Sequence, residues 1–168
     1  LMAKATERLT IGWGIISPFT RHPVQAAMDA RVVQEAAGPG RFLLGFGTSK
    51  IFLNNTKQQT NRTLGPMRDA VTIVKGVLSG EPFEYEGRTV RVTPAGVQPG
   101  GPKIYMGGST EKSALRAAKG GYQYFPGHPG LWDLYAQERE SLGFPPPEPL
   151  VKSIASFLYI TDDPDRDW

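Results

Sequence analysis

The chain has 168 residues, 39% of them hydrophobic and 21% charged, a balance that predicts a soluble globular domain with a real core. No apolar run approaches the ~20 residues of a membrane span, and a net charge of +3 from scattered basic residues argues against nucleic acid as a partner. The absence of cysteine excludes disulfides, thiolate metal sites and cysteine nucleophiles, and fits a cytoplasmic protein.

Residues 1–8 read as the closing turns of a helix. Residues 9–16 predict a strand that carries Gly12 and Gly14 and ends at Ser17-Pro18. Pro23–Ala37 predicts an amphipathic helix, with Val24, Met28, Val32 and Ala36 at four-residue spacing, Val33 and Ala37 beside them, and Gly38 just past the end. Phe42–Phe46 is too short for a helix and is bounded by glycine, so it reads as a buried strand emptying into Gly47-Thr48-Ser49-Lys50. Gly45 and Gly47 allow a close backbone approach, either to a neighbouring strand or to a ligand at the strand's carboxyl end.

Residues 51–62 are polar and without period, which predicts a long loop. A second helix follows over 66–79, with Met67, Val71, Val74 and Leu78 on one face. Residues 83–85 and 89–92 flank Glu86-Gly87-Arg88 as a hairpin. A buried strand over 103–106 leads into Gly107-Gly108-Ser109-Thr110, a turn that opens a helix over Glu111–Lys119 with Ala114, Leu115 and Ala118 inward. A short strand over 122–125, a helix over 131–142, a stiff Pro145-Pro146-Pro147 linker and a fifth strand over 154–160 complete the series. Asp163 and Pro164 suit the start of another helix. Both ends read as helices cut short, so the chain is expected to be an internal piece of a longer protein.

Five strands alternating with helices predict a parallel α/β sheet, with the loops rich in Gly, Ser, Thr and His gathered at the carboxyl ends of the strands. That end carries function in barrels and open sheets alike. Among these loops, Gly107, Gly108, Ser109 and Thr110 offer a helix N-terminus and hydroxyls to an anion such as phosphate, or else form a tight turn with a Ser or Thr cap. The strand exit at Gly47-Thr48-Ser49-Lys50 can line a ring or a phosphate, or simply pack. Glycines beside β-branched residues at 13–18 suggest a bulge that pushes backbone toward a ligand, or a glycine-tolerant barrel strand. His22 and His128 each stand beside a proline in a post-strand loop, where a general base or a helix cap fits. No set of residues has metal-ligand spacing, no carboxylate pair faces one cleft, and no serine nucleophile elbow occurs.

The order of these pieces resembles the luciferase-like family of flavin- and deazaflavin-dependent oxidoreductases. The segments that carry the resemblance begin with Ala5-Thr6-Glu7-Arg8-Leu9-Thr10-Ile11-Gly12, Arg21-His22-Pro23 and Gly40-Arg41-Phe42-Leu43-Leu44-Gly45-Phe46-Gly47. They continue with Leu78-Ser79-Gly80-Glu81-Pro82, Tyr85-Glu86-Gly87-Arg88 and Lys103-Ile104-Tyr105-Met106-Gly107-Gly108-Ser109. The resemblance implies a partial (β/α)8 TIM barrel, about five of eight βα units, the third to the seventh strands. It implies a coenzyme F-420 or FMN cofactor at the carboxyl ends of those strands and a small-molecule substrate.

Residue by residue, the resemblance assigns Gly14 and Ile15 to a non-prolyl cis peptide against the ring. It places Thr48 and Ser49 beside the ring or its ribityl chain, and Gly107, Gly108 and Ser109 at the cofactor phosphate. The Gly14-Ile15 and Gly47-Thr48-Ser49 segments lean toward the deazaflavin branch. One departure is Gly120-Gly121-Tyr122, where the family commonly has Gly-Asp-Gly. The implied reaction is hydride transfer or oxygenation. This chain alone is expected to bind the cofactor weakly or not at all unless another chain completes the barrel, with open sheet edges that leave room for a homo-oligomer. A non-redox phosphate-binding barrel enzyme and a non-catalytic flavin-binding scaffold are the other readings.

Overall fold

The computed structural model describes residues 1–48, 50–55, 64–148 and 161–167. A short helix α1 (Met2–Ala5) precedes β1 (Ile11–Ile16), α2 (Pro23–Ala37) and β2 (Phe42–Phe46). Then come α3 (Lys50–Asn55), α4 (Leu64–Ser79) and the hairpin β3 (Phe83–Tyr85) and β4 (Arg88–Val90). The second half runs β5 (Lys103–Gly108), α5 (Glu111–Lys119), β6 (Gln123–Pro126) and α6 (Gly130–Ser141), with α7 (Pro164–Asp167) beyond. The Asp163 carboxylate accepts from the Arg166 amide at the start of α7 (3.2 Å), the cap that the sequence predicts there.

β1, β2, β5 and β6 lie side by side in that order in a four-stranded sheet, each pair parallel. Helices occupy the crossovers, as parallel pairing requires. This is the architecture of a partial (β/α)8 barrel; the predicted strand over 154–160 lies outside the described residues. Along the strands, alternate residues separate two faces. Trp13, Phe42, Leu44, Phe46, Ile104 and Met106 join the core under α2 and α4, and Trp13 meets Phe42 edge-on with ring centroids 5.2 Å apart. Tyr124 enters a second cluster with Ala114, Ala117, Ala118, Leu131 and Tyr135 under α5 and α6. Gly12, Gly14, Leu43, Gly45, Gly47, Tyr105, Gly107, Gln123 and Phe125 are left on the opposite face of the strands and their exits.

Three expectations are corrected. First, α2 does not bury the Met28–Val32 stripe: those side chains are 46% and 57% exposed, while Ala26, Ala27, Ala30, Gln34 and Ala37 are buried. The partner surface decides this, because the bulky Val71, Val74 and Leu78 of α4 interlock best with a small-residue face. Second, residues 51–62 are not wholly a loop, because Lys50–Asn55 forms α3, with Leu53 buried. A single turn and a half is too short to show a helical period in sequence. Third, Gly107 and Gly108 are not turn residues. They are the last two residues of β5, in register with Phe125 and Pro126 of β6.

Arg139 closes the end of α6. It is 4% exposed and donates from Nη2 and Nε to the Pro145 carbonyl (3.2 and 3.3 Å) and from Nη1 to the Tyr122 carbonyl (3.4 Å). The rings of Tyr135 and Phe144 lie 5.7 and 5.1 Å from its guanidinium carbon. The Pro145-Pro146-Pro147 segment is thus anchored where it leaves the helix.

Four phenols in this half are held protonated. Burial pushes the Tyr105, Tyr122, Tyr124 and Tyr135 hydroxyls above the ordinary tyrosine value, with Glu148 adding to the effect on Tyr105. For Tyr124 the Ser113 hydrogen bond and Arg116 pull the other way without reversing it. A raised folded value means that the fold prefers the neutral phenol. The associated stability is intact below the unfolded value of about 10 and is lost as pH rises through the folded values. Melting temperature is therefore expected to hold between about pH 8 and 9.5 and to fall above about pH 10. A Tyr124→Phe/Tyr135→Phe variant should fall less steeply; a slope equal to wild type would show that these phenols do not carry the effect.

Candidate active site

The carboxyl ends of β1, β2 and β5 meet at a single side chain, Ile15. Between Trp13, paired with Leu44, and Ile16, paired with Phe46, β1 holds two residues where β2 holds only Gly45. That is a bulge, and the Gly14–Ile15 peptide within it is cis. The bulge carries the Ile15 side chain across the sheet. A methyl group built on Gly47 would overlap Ile15 Cδ1, and one on Gly107 would stand 2.9 Å from Ile15 Cγ2. On Gly45 it would collide with the Trp13 carbonyl oxygen and lie 3.3 Å from Ile15 Cγ2. Gly45, Gly47 and Gly107 are therefore glycine because Ile15 and the bulged backbone occupy the space of their side chains. Gly14 differs: a methyl group there meets nothing within 4 Å, so its face of the bulge is open and formed of backbone.

The strand exits are tied together. The buried Ser17 hydroxyl donates to the Thr48 carbonyl (3.3 Å), and the Gly47 amide donates to the Ile16 carbonyl (3.0 Å). Thr48 is half-buried beside the bulge, while Ser49 lies outside the described residues. At the end of β5, the Gly108 carbonyl accepts from the Gly127 amide and from the Tyr124 hydroxyl, both at 2.7 Å. A methyl group on Gly108 would overlap the Ser113 side chain, and one on Gly127 would lie 2.5 Å from Ser109 Cβ. Thr110 caps α5, its Oγ1 accepting from the Ser113 amide (3.2 Å) while Ser113 Oγ accepts from the Thr110 amide (3.1 Å). Ser109 and Thr110 are exposed at the start of that helix.

The structure thus brings Gly14, Ile15, Thr48, Gly107, Gly108 and Ser109 to one end of the sheet, but with different roles. A side chain at Gly107 or Gly108 would strike Ile15 or Ser113, and Ser109 is exposed at the start of α5. His22 is a helix cap, its Nδ1 accepting from the Val24 amide (3.3 Å). His128 lies exposed in the loop after β6. Sequence reasoning missed the part played by Ile15 as the common neighbour of the glycines. It also missed Tyr124, whose alternation with Gln123 and Phe125 was the available signal. A cavity of about 220 Å3 lined by Lys75, Lys103, Tyr122 and Gln123 lies at the opposite, amino end of β5 and β6. Among the described residues no group of His, Cys, Asp and Glu could hold a metal ion, and no helix is long and apolar enough to cross a membrane.

The family model for luciferase-like monooxygenases matches residues 1–167. The chain belongs to the luciferase-like monooxygenase family. This luciferase-like chain is 28% identical over 122 residues to the 5,10-methylenetetrahydromethanopterin reductase of Archaeoglobus fulgidus, a match covering 71% of the chain and 36% of the reductase. Among solved structures, the coenzyme F-420-dependent tetrahydromethanopterin reductase of Methanopyrus kandleri superposes with a TM-score of 0.70 at 21% identity, over 84% of this chain and 48% of that one. Monooxygenase RslO1 of Streptomyces bottropensis gives 0.69 at 21% identity, over 86% and 48%. The chain therefore spans about a third of the first reductase and about half of each solved structure, and it shares their fold over that span.

Proposed function

We propose that this chain provides part of the cofactor site of an oxidoreductase that acts on a small organic substrate, with coenzyme F-420 favoured over FMN. The observation that carries the reading is the bulge at Gly14-Ile15. It presents an open backbone face at the carboxyl end of the sheet, next to glycines closed off by Ile15. A planar conjugated ring fits such a face, because among the described residues nothing beyond its chain neighbours comes within 4 Å of a side-chain carbon at Gly14. The reductase relatives support the deazaflavin over the flavin.

When bound, the ring supplies the hydride-transfer chemistry. The chain's own residues orient it. Gly14 and Ile15 form its backing and Ile15 fixes the apolar floor, while Thr48, held by Ser17, stands at its side. Ser109 and the first amides of α5 receive the cofactor phosphate, where the helix N-terminus favours negative charge. Gly107 and Gly108 allow Ile15 and Ser113 to pack beneath that site.

Fluorescence titration with coenzyme F-420 and with FMN tests this reading. The expected result is saturable binding of coenzyme F-420 with a dissociation constant of about 10–100 µM, and weaker binding of FMN. Gly14→Val, which puts a side chain on the open face, should weaken binding by about tenfold or more, or roughly 1.4 kcal/mol. If neither ring binds saturably up to about 1 mM, the proposal fails.

A further inference from the structure

Resting on the ring reading above, the geometry points to Phe125 as the far wall of the ring site, a residue that contacts the conjugated ring and limits how far it extends across the sheet. Tyr124 is buried in the helix layer, so its neighbours Gln123 and Phe125 face the other side of the sheet. The register pairs Phe125 with Gly107 and Gln123 with Tyr105. Paired residues of a parallel ladder present their side chains to the same face, so Phe125 stands on the face where Ile15 covers Gly107.

The rings of Tyr105 and Phe125 meet with centroids 6.0 Å apart and planes at 67°, an edge-to-face contact that steadies Phe125 from below. Ile15 over Gly107, Phe125 beside Gly107 in the ladder and Tyr105 against Phe125 thereby set an isoleucine and two aromatic rings around the bare backbone of Gly107. A lone exposed aromatic is ordinary on a protein surface. This one is 37% exposed at the carboxyl end of β6, in the row that contains Gly107, the residue against which Ile15 packs. The chemistry that matches isoleucine and aromatic rings around bare backbone is a flat, conjugated, largely apolar ring. The polar groups of such a ligand would point toward Thr48 on one side and Ser109 on the other.

Fluorescence of the bound ring tests the assignment, because quenching by an indole requires near contact. Wild type, Phe125→Trp, Phe125→Ala and Phe125→Tyr are titrated with coenzyme F-420 and with FMN, with Leu142→Trp, 47% exposed near the end of α6, as the control. Phe125→Trp should lower the emission of the bound ring several-fold relative to wild type, whereas Leu142→Trp should leave it unchanged. Phe125→Ala should weaken binding by about 3- to 10-fold with an unaltered circular dichroism spectrum, and Phe125→Tyr should restore the affinity. If wild type binds a ring and both its affinity and its bound emission are unmoved by every substitution at Phe125, the assignment is wrong and the ring reading stands. If wild type binds neither ring, the ring reading falls and this assignment falls with it.

Discussion

Gly45→Val is expected to lower stability by about 3 kcal/mol or more, read as a shift in the urea midpoint. The first carbon of any side chain at this position overlaps the carbonyl oxygen of Trp13, which is backbone and cannot swing aside. Nor can Trp13 retreat as a unit, since its ring is held edge-on to Phe42 in the core. The only relief is to part β1 from β2 at the bulge, which gives up ladder hydrogen bonds and the seating of Ile15 together. Gly14→Ala, one bulge residue away and facing open space, should stay within about 0.5 kcal/mol of wild type. A Gly45→Val midpoint equal to wild type would show that the bulge geometry is wrong.

Gly108→Ala should cost about 2–3 kcal/mol, because the added methyl group overlaps both Cβ and Oγ of Ser113. Ser113 belongs to a buried, doubly capped helix start, so either α5 lifts or the end of β5 bows. Bowing would also strain the bonds that the Gly108 carbonyl accepts from Tyr124 and Gly127. Ser113→Gly removes the obstruction but loses the cap and some helix propensity, about 1–2 kcal/mol on its own. The double variant should be no less stable than Ser113→Gly alone, a coupling of about 2 kcal/mol in a double-mutant cycle. Additive losses would mean that Gly108 is glycine for some reason other than Ser113. The comparison matters for function, since it separates a glycine required by packing from one required by a ligand.

Much of the site's location was legible in the chain. Apolar runs punctuated by glycine gave the strands at Phe42–Phe46 and 103–106, and small or polar residues after each run marked the end of the sheet that holds the candidate site. Glycines beside β-branched residues at 13–18 suggested a bulge, and the family resemblance pointed to Gly14-Ile15 within it, where the bulge is found. Less legible was what each glycine is for. The signal for a ligand-binding turn and the signal for close strand packing are the same in sequence, namely a missing side chain. Gly107 and Gly108 consequently read as a loop although they finish a strand.

The α/β alternation, the parallel sheet and, through the order of its segments, the family were readable from the chain alone. The alternation and the sheet depend on local properties: the period of apolar residues, the position of helix caps, and the glycines that punctuate both. Packing between distant residues settled which face of α2 is buried, which glycines are spoken for, and that Ile15 is the residue they make room for. Those outcomes depend on contacts between residues far apart in the chain. Ile15 meets Gly47 and Gly107 only because the sheet sets β1, β2 and β5 side by side, so no short window of sequence contains the reason.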